Sequence, residues 1–262
     1  MKNKKIMILS AALCIGTLSA AEIFKVATPA DFEKTKKITQ ESELLLVNGS
    51  GDFFTAKDFK LDPAKKYKLS GQFRLRSGSP VQVWLGYAPL NSKKKVLFPI
   101  YVNPVANTGT EVVAAARRGT KLLKVKDASK WKQRSCYVAF NVKDDFSDLP
   151  NFSVLAIAKD GVKQNGDVWE ITLAQPLKKN ISEGTKVREH VNGATFIWNA
   201  GPAKVQDKWI NRAGVLNGQV IPGMPVVGHK LWPGTQSVRI IIRVTGKADS
   251  VTELRNIKIE EL

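Results

Sequence analysis

A period-two alternation of apolar and polar side chains is the main feature of this sequence, and it is clearest between residues 67 and 87. Residues 67–76 place Tyr, Leu, Gly, Phe and Leu on one face and Lys, Ser, Gln and Arg on the other. After a Ser-Gly-Ser-Pro turn, residues 81–87 repeat the alternation. This pattern is typical of half-buried strands, so we interpret the segment as a β-hairpin.

The pairing of the two predicted strands follows from the need to bury both apolar faces together. The register that does so pairs Leu75 with Val83. It also places Trp84 opposite Arg74, on a face that is otherwise polar. A large aromatic ring on a polar face indicates a surface that meets a ligand.

Residues 117–192 differ from the rest of the chain and form their own series of short alternating segments. Turn-forming Gly, Asn, Asp and Pro residues separate five predicted strands, at residues 121–126, 136–142, 152–158, 168–173 and 185–191. Strands this closely spaced predict a small β-barrel or half-barrel, inserted into an exposed loop of a larger domain. Later in the chain, residues 213–228 are rich in Gly, Pro and Val and predict a long loop with one or two short strands.

Two segments of the chain carry a family resemblance. Residues 59–71, Phe-Lys-Leu-Asp-Pro-Ala-Lys-Lys-Tyr-Lys-Leu-Ser-Gly, comprise a strand, a turn and a tyrosine that opens an alternating strand. This segment resembles carbohydrate-binding jelly-roll modules of the galactose-binding-like type. The sequence Leu-Trp-Pro-Gly-Thr at 231–235, with an alternating strand at 237–244 and a closing strand at 253–260, is similar to the final hairpin of those modules. The resemblance extends over residues 44–115 and 193–262, and it implies an all-β jelly-roll β-sandwich that binds carbohydrate.

Residues 119–131 of the inserted segment read Gly-Thr-Lys-Leu-Leu-Lys-Val-Lys-Asp-Ala-Ser-Lys-Trp. This pattern resembles the small β-modules of bacterial surface and phage-tail proteins, and no activity follows from that resemblance. We therefore divide the chain into three parts. Residues 1–21 are a leader, residues 22–116 and 193–262 form a discontinuous jelly-roll sandwich, and residues 117–192 form the inserted β-domain.

The leader has the pattern of a secretory signal peptide. Three lysines precede an apolar run at residues 6–18, and Ser-Ala-Ala at 19–21 supplies the small residues of a cleavage site. Cys14 is preceded by Leu13, where lipoprotein processing needs a small residue. The run is too short for a stable membrane span, and no later segment reaches that length. We expect a mature chain that begins at Glu22 and is exported to the periplasm, the cell surface or the medium.

The chain is strongly basic. It has 41 Lys and Arg residues against 23 Asp and Glu residues, a formal net charge of +18, and removal of the three leader lysines leaves +15. One interpretation is a solvated, lysine-rich surface; the other is attraction to an anionic polymer, such as an acidic polysaccharide, a cell-wall polyanion or extracellular nucleic acid. The cations are dispersed over many segments, which argues against a specific nucleic-acid footprint.

Catalytic and metal-binding patterns are absent from the sequence. The two histidines, His190 and His229, have no Ser or Cys partner at a recognisable spacing, and we expect both at the surface. Cys136 is the one cysteine after the leader, so no internal disulfide can form, and it is typical of a small core residue. Candidate carboxylates for glycoside hydrolysis are Asp144, Asp145, Asp148, Asp167 and Glu170.

Turn chemistry explains the first three of these carboxylates better than catalysis does. We therefore predict no catalytic residue, no cofactor and no metal site. No loop has the density of Asp and Asn that a calcium site needs. A structural calcium ion is therefore not predicted, and the question is left open.

Sugar rings stack on aromatic side chains, while their hydroxyls bond to amides and cations, so a glycan-binding face should interleave the two kinds. The predicted sheet face that does so carries Gln72, Arg74, Arg76, Gln82 and Trp84. Secondary aromatic candidates are Trp198, Trp209 and Trp232. Trp232 precedes Pro-Gly and is more typical of a packed corner. The alternative for Trp84 is a covered face, with its ring packed under residues 213–228 or the insert and stacked on Arg74.

The sequence thus predicts an exported, non-catalytic protein that binds a polysaccharide or cell-surface glycan on a β-sheet face. A first alternative is a structural or assembly module of the cell envelope, held to anionic polymers by its charge. A second is a polysaccharide lyase or hydrolase on the same scaffold. It would need a His or Tyr beside Arg or Lys in one cleft, and the sequence shows no such convergence.

Overall fold

The computed structural model describes residues 20–131 and 136–262, and almost all of its regular structure is β-strand. The predicted leader therefore lies, except for its last two residues, outside the described part. Short 3-10 helices occur at Pro29–Asp31 and Pro99–Tyr101. The strands in chain order are β1 (Ala21–Lys25), β2 (Ile38–Glu41), β3 (Leu44–Asn48), β4 (Gly51–Phe54), β5 (Lys66–Ser77), β6 (Val81–Leu90), β7 (Thr110–Glu111), β8 (Leu122–Val125), β9 (Cys136–Phe140), β10 (Val154–Asn165), β11 (Val168–Leu173), β12 (Lys186–Val191), β13 (Ile197–Val205), β14 (Ile210–Asn217), β15 (Ser237–Thr245) and β16 (Val251–Glu261).

Two antiparallel sheets form a β-sandwich. The six-stranded sheet has the order β14-β5-β16-β3-β2, with β1 also paired to β16, and the four-stranded sheet has the order β13-β6-β15-β4. Leu69 and Phe73 of the first sheet and Leu85 and Tyr87 of the second are completely buried in one shared core. The predicted all-β, jelly-roll sandwich class is confirmed.

The predicted β-hairpin is wrong. Strand β5 pairs with β14 and β16, whereas β6 pairs with β13 and β15, so the two strands belong to different sheets. Leu75 has Thr252 as its cross-strand partner, and Val83 has Val244. The Ser-Gly-Ser-Pro turn carries the chain from one layer to the other. Both apolar faces are buried, as predicted, but they meet face to face across the core.

The edges of the two sheets approach each other where β13 runs beside β14. The Asn199 side chain donates a hydrogen bond of 3.0 Å to the carbonyl of Gly214, and Arg212 donates one of 2.6 Å to the carbonyl of Gly201. Strand β13 continues through Pro202, which an edge strand tolerates, and its register shifts there. Strand β14 extends into the segment predicted as a mostly irregular loop.

Residues 110–191 form the third sheet, of order β7-β12-β9-β10-β11-β8. A bridge between Val112 and Val125 joins its two end strands, so the sheet closes into a small barrel. Its interior is a separate apolar core that includes Leu123, Trp131 and Ile171. All five strands predicted for this region occur, and β7 adds a strand ahead of residue 117. The division of the chain into three parts stays a prediction.

A buried polar cluster lies where the barrel meets the sandwich. Arg188 and Asp148 form an ion pair of 2.8 Å with both side chains almost fully buried. His190 is completely buried, with Nδ1 2.8 Å from the carbonyl oxygen of Ile100 and Nε2 3.2 Å from the Nε of Arg188. The expectation of a surface His190 is therefore wrong, because its two ring nitrogens are satisfied inside. The other histidine, His229, is exposed as expected.

Candidate functional site

The predicted contact residues are divided between the two outer faces of the sandwich. Gln72, Arg74 and Arg76 alternate with buried residues on β5 and lie on the outer face of the six-stranded sheet. Gln82 and Trp84 lie on the outer face of the four-stranded sheet. The predicted proximity of Trp84 to Arg74 is therefore wrong, because β5 and β6 turn their polar sides in opposite directions.

On the four-stranded sheet, Trp84 is half-buried and is the cross-strand partner of Arg243. Arg243 makes two hydrogen bonds to Asp52, of 2.6 and 2.7 Å, and its guanidinium lies 5.0 Å from the centre of the Trp198 ring. Trp198 in turn packs edge-on against Phe196. The charged and aromatic groups of this face mainly contact one another.

The six-stranded sheet carries a different set of groups on its outer face. Gln72 donates a hydrogen bond of 2.7 Å to Asn211 on β14, and its oxygen accepts bonds from Arg255, at 2.7 Å, and Asn256, at 3.2 Å, on β16. One amide side chain thus links three adjacent strands. These hydrogen bonds hold the row of polar groups in a defined arrangement.

A partly exposed tryptophan lies over this row. Trp209, just before β14, has the Arg255 guanidinium 4.1 Å and the Arg74 guanidinium 4.8 Å from its ring centre. Cations at these distances are attracted to the electron-rich face of an indole. Arg74 also donates to Glu253, whose side chain is only 5% exposed, and this hydrogen bond raises the pKa of Arg74.

A groove of about 460 Å³ lies on the same face and includes Gln72 and Asn211 of the hydrogen-bonded row. It is lined by polar and charged residues, among them Glu22, Lys25, Lys68, Ser70, Gln72, Asn211, Asn256 and Lys258. A second hollow, of about 820 Å³, shares Lys25 and Asn256 with it. This hollow forms where β16 changes partner from β3 to β1, at a bulge in which Asn256 adopts a positive φ of 53°.

The structure places the secondary candidates in three different settings. Trp209 contacts Arg74 on the face that carries the groove, and Trp198 lies on the opposite face. Trp232 is 1% exposed, belongs to the core, and donates its ring N–H to the carbonyl of Val227 at 3.3 Å. Burial removes Trp232 as a ligand-binding candidate and agrees with its interpretation as a packed corner. Arg76 pairs with Glu41 near the end of β5.

Sequence reasoning missed the groove residues on β1, β14 and β16, namely Lys25, Asn211, Asn256 and Lys258, and the neighbouring Arg255. They come from strands that are distant in sequence, and only the sheet order brings them together. The closing strand predicted at residues 253–260 lies on β16, but that prediction did not separate its outward-facing polar residues from its buried ones.

The candidate carboxylates are engaged in turns and ion pairs. Asp145 accepts a hydrogen bond of 3.0 Å from the backbone N–H of Ser147, which lowers its pKa. Asp148 accepts one from the backbone N–H of Lys143. These bonds agree with turn chemistry. Within residues 20–131 and 136–262, no three His, Cys, Asp or Glu side chains are grouped to hold a metal ion. In the same part of the chain, no helix is long and apolar enough to cross a membrane.

Comparison with known proteins gives a distant likeness. No protein-family model matches the chain, and no curated protein matches it. Among solved structures, it is similar to the CBM22-1 xylan-binding domain of Xyn10C from Paenibacillus barcinonensis, with 7% identity over 93% of this chain and 92% of that one, at a TM-score of 0.37. It is also similar to a "Putative glycosyl hydrolase" from Parabacteroides distasonis, with 13% identity over 88% and 94% of the two chains, at a TM-score of 0.28. The assignment of a function rests on the faces and grooves of the chain itself.

Proposed function

We propose that this is an exported, non-catalytic carbohydrate-binding protein, and that its glycan lies on the outer face of the six-stranded sheet. The observation that carries the proposal is the placement of Trp209 beside Arg74 and Arg255, next to an open groove lined with amides. This is the interleaving of aromatic and polar groups that a sugar requires.

Each group on this face has a part in the binding of a sugar. The partly exposed Trp209 ring offers the part of its surface that Arg74 and Arg255 leave uncovered to the C–H face of a pyranose. The amides of Asn211 and Asn256 and the hydroxyl of Ser70, which line the groove, are placed to exchange hydrogen bonds with sugar hydroxyls. The Gln72 hydrogen bonds fix neighbouring side chains before the ligand arrives, which reduces the entropy lost on binding.

The open shape of the groove suits an internal stretch of a polymer. The four strands β14, β5, β16 and β1 follow one another across this face. Their three spacings amount to about 14 Å, since paired strands lie about 4.8 Å apart. A polysaccharide chain can cross such a surface without presenting an end.

Affinity gel electrophoresis against a panel of neutral and acidic polysaccharides, at low and high salt, tests the proposal. We expect at least one polysaccharide to retard the protein at both salt concentrations and to retard Trp209→Ala much less. Trp84→Ala is the matched control, because it removes a tryptophan of the opposite face. Circular dichroism establishes that both variants are folded.

Other results would contradict the proposal in distinguishable ways. Loss of retardation in Trp84→Ala, with Trp209→Ala unaffected, would move the glycan to the four-stranded sheet. Absence of retardation by every polysaccharide would contradict glycan binding itself. Retardation by acidic polymers alone, abolished by salt and indifferent to Trp209→Ala, would instead support the envelope-module function, which the high positive charge favours.

A further inference from the structure

We infer that the glycan bound by this face is anionic, with carboxylate or sulfate groups that lie against Lys25, Lys68 and Arg255. This inference rests on the proposed function and adds the chemical class of the ligand. It is carried by the distribution of ion pairs over the two outer faces of the sandwich.

The cations of the groove face are only partly neutralised. Glu253 is paired with Arg74, and Glu260 with Lys258, so these carboxylates are already engaged. Lys25, Lys68 and Arg255 form no ion pair with any other residue that the structure describes. Glu22 is the remaining carboxylate that lines the groove, which leaves an excess of positive charge.

The opposite face differs, although the same basic chain forms it. Arg243 is paired with Asp52, and Arg239 with Glu33. The arginines of β15 are therefore neutralised by acidic partners in the fold. The groove cations Lys25, Lys68 and Arg255 therefore differ from the two arginines of β15, which have acidic partners in the fold.

Two of the groove cations face each other directly. Lys25 on β1 is the cross-strand partner of Lys258 on β16, and both line the groove. Like charges directly opposite each other in a sheet are destabilising. The pairing of Lys258 with Glu260 relieves part of this repulsion, and a bound anion between the two ammonium groups would relieve the rest.

Arg255 connects the charge to the aromatic platform. Its guanidinium lies against Trp209, while its Nε donates to Gln72. The guanidinium groups of Arg255 and Arg74 both lie over the ring, so an acidic sugar that contacts Trp209 would meet a guanidinium, which suits the planar geometry of a carboxylate. Lys68 and Lys25 lie further along the groove, where they would meet acidic groups on neighbouring sugars.

The test compares polymers that share a backbone and differ in charge. Polygalacturonate against its methyl ester isolates the carboxylate, and dextran sulfate against dextran isolates the sulfate. Single-stranded DNA serves as a polyanion of another class. We expect the wild-type protein to bind at least one charged polymer about tenfold or more tightly than its uncharged counterpart. A tenfold difference in affinity corresponds to about 1.4 kcal/mol of binding free energy.

The variants Lys68→Gln and Arg255→Gln remove the cations one at a time. We expect each to lose several-fold in affinity for the charged polymer and the double variant to approach the affinity for the uncharged one. Arg255→Lys keeps the positive charge and loses the planar guanidinium. It therefore separates the contribution of the charge to the affinity from the contribution of the guanidinium that stacks on Trp209. Lys179→Gln is the matched control, because it makes the same charge change at an exposed position of the barrel.

The possible results separate this inference from the proposed function. Equal affinity for charged and uncharged polymers, still lost in Trp209→Ala, would leave glycan binding intact and overturn the anionic class. An equal loss in Lys179→Gln would show attraction by net charge and overturn the site. Tighter binding of DNA than of any glycan, sensitive to Lys68→Gln, would assign the face to nucleic acid. No binding to any polysaccharide would contradict both proposals.

Discussion

The guanidinium of Arg255 lies 4.1 Å from the centre of the Trp209 ring, although two whole strands, β14 and β15, lie between these residues in the chain. Because a sugar on this ring would change the surroundings of the indole, we expect glycan to alter the intrinsic tryptophan fluorescence. The change should persist in Trp84→Phe and be absent from Trp209→Phe. A titration followed by fluorescence emission measures this, and an unchanged response in Trp209→Phe would contradict the placement of the ligand.

Arg74 and Arg76 offer a comparison on one strand. Arg74 is bonded to the nearly buried Glu253, whereas Arg76 pairs with the exposed Glu41. Removal of Arg74 leaves a carboxylate without its partner in a poorly hydrated position, which is costly. We expect Arg74→Gln to lower the midpoint of urea unfolding clearly and Arg76→Gln to leave it almost unchanged. Equal midpoints for the two variants would be inconsistent with this difference.

The ion pair between Arg188 and Asp148 should stabilise the junction of barrel and sandwich. Both side chains are less than 10% exposed, so Arg188→Ala leaves a buried carboxylate uncompensated. We expect a loss of about 3–5 kcal/mol in the free energy of unfolding. Equilibrium urea denaturation measures it. Lys186→Gln, which breaks the exposed pair with Asp144, is the control and should have little effect, because solvent screens that pair.

His190 should make the stability depend on pH. Its pKa is lowered from 6.5 to about 4, mainly by burial and also by the nearby Arg188, while the hydrogen bond to the Ile100 carbonyl and the charge of Asp148 oppose the shift. Between these values the unfolded chain binds a proton at this histidine and the folded chain does not. The free energy of unfolding should therefore fall as the pH is lowered from about 6.5 towards 4, by up to about 1.4 kcal/mol per pH unit.

Urea denaturation at a series of pH values measures this slope. His190→Gln can keep a side-chain N–H for the Ile100 carbonyl and does not titrate, so it should flatten the slope above pH 5. His229→Gln, at an exposed position, should keep the wild-type slope. A slope that survives in His190→Gln would assign the pH dependence to other groups.

Gly214 should be intolerant of a side chain. A Cβ atom at this position would lie 1.9 Å from the backbone oxygen of Asn199, where the edges of the two sheets meet. We expect Gly214→Ala to lower the free energy of unfolding by about 1–3 kcal/mol, because backbone must shift to admit the methyl group. Gly201→Ala, where an added Cβ would meet no atom within 4 Å, should be nearly neutral. Thermal unfolding of the two variants provides the comparison.

The sequence by itself determined which side of many strands is buried. Phe73 and Leu85 are in the core, and Arg74 and Trp84 are outside it, as the alternation predicted. The five strands of residues 121–191 were equally evident. Side-chain direction in a strand has a period of two, so a short stretch of sequence is enough to read it.

Only the tertiary structure decided which strands are neighbours. The same alternation suits a hairpin in one sheet and two strands that face each other across a core, because both arrangements bury the apolar sides. The second arrangement places Arg74 and Trp84 on opposite faces and brings Trp209 and Arg255 to Arg74. Strand order depends on how distant segments share one core, and that is a property of the whole chain which no local pattern contains.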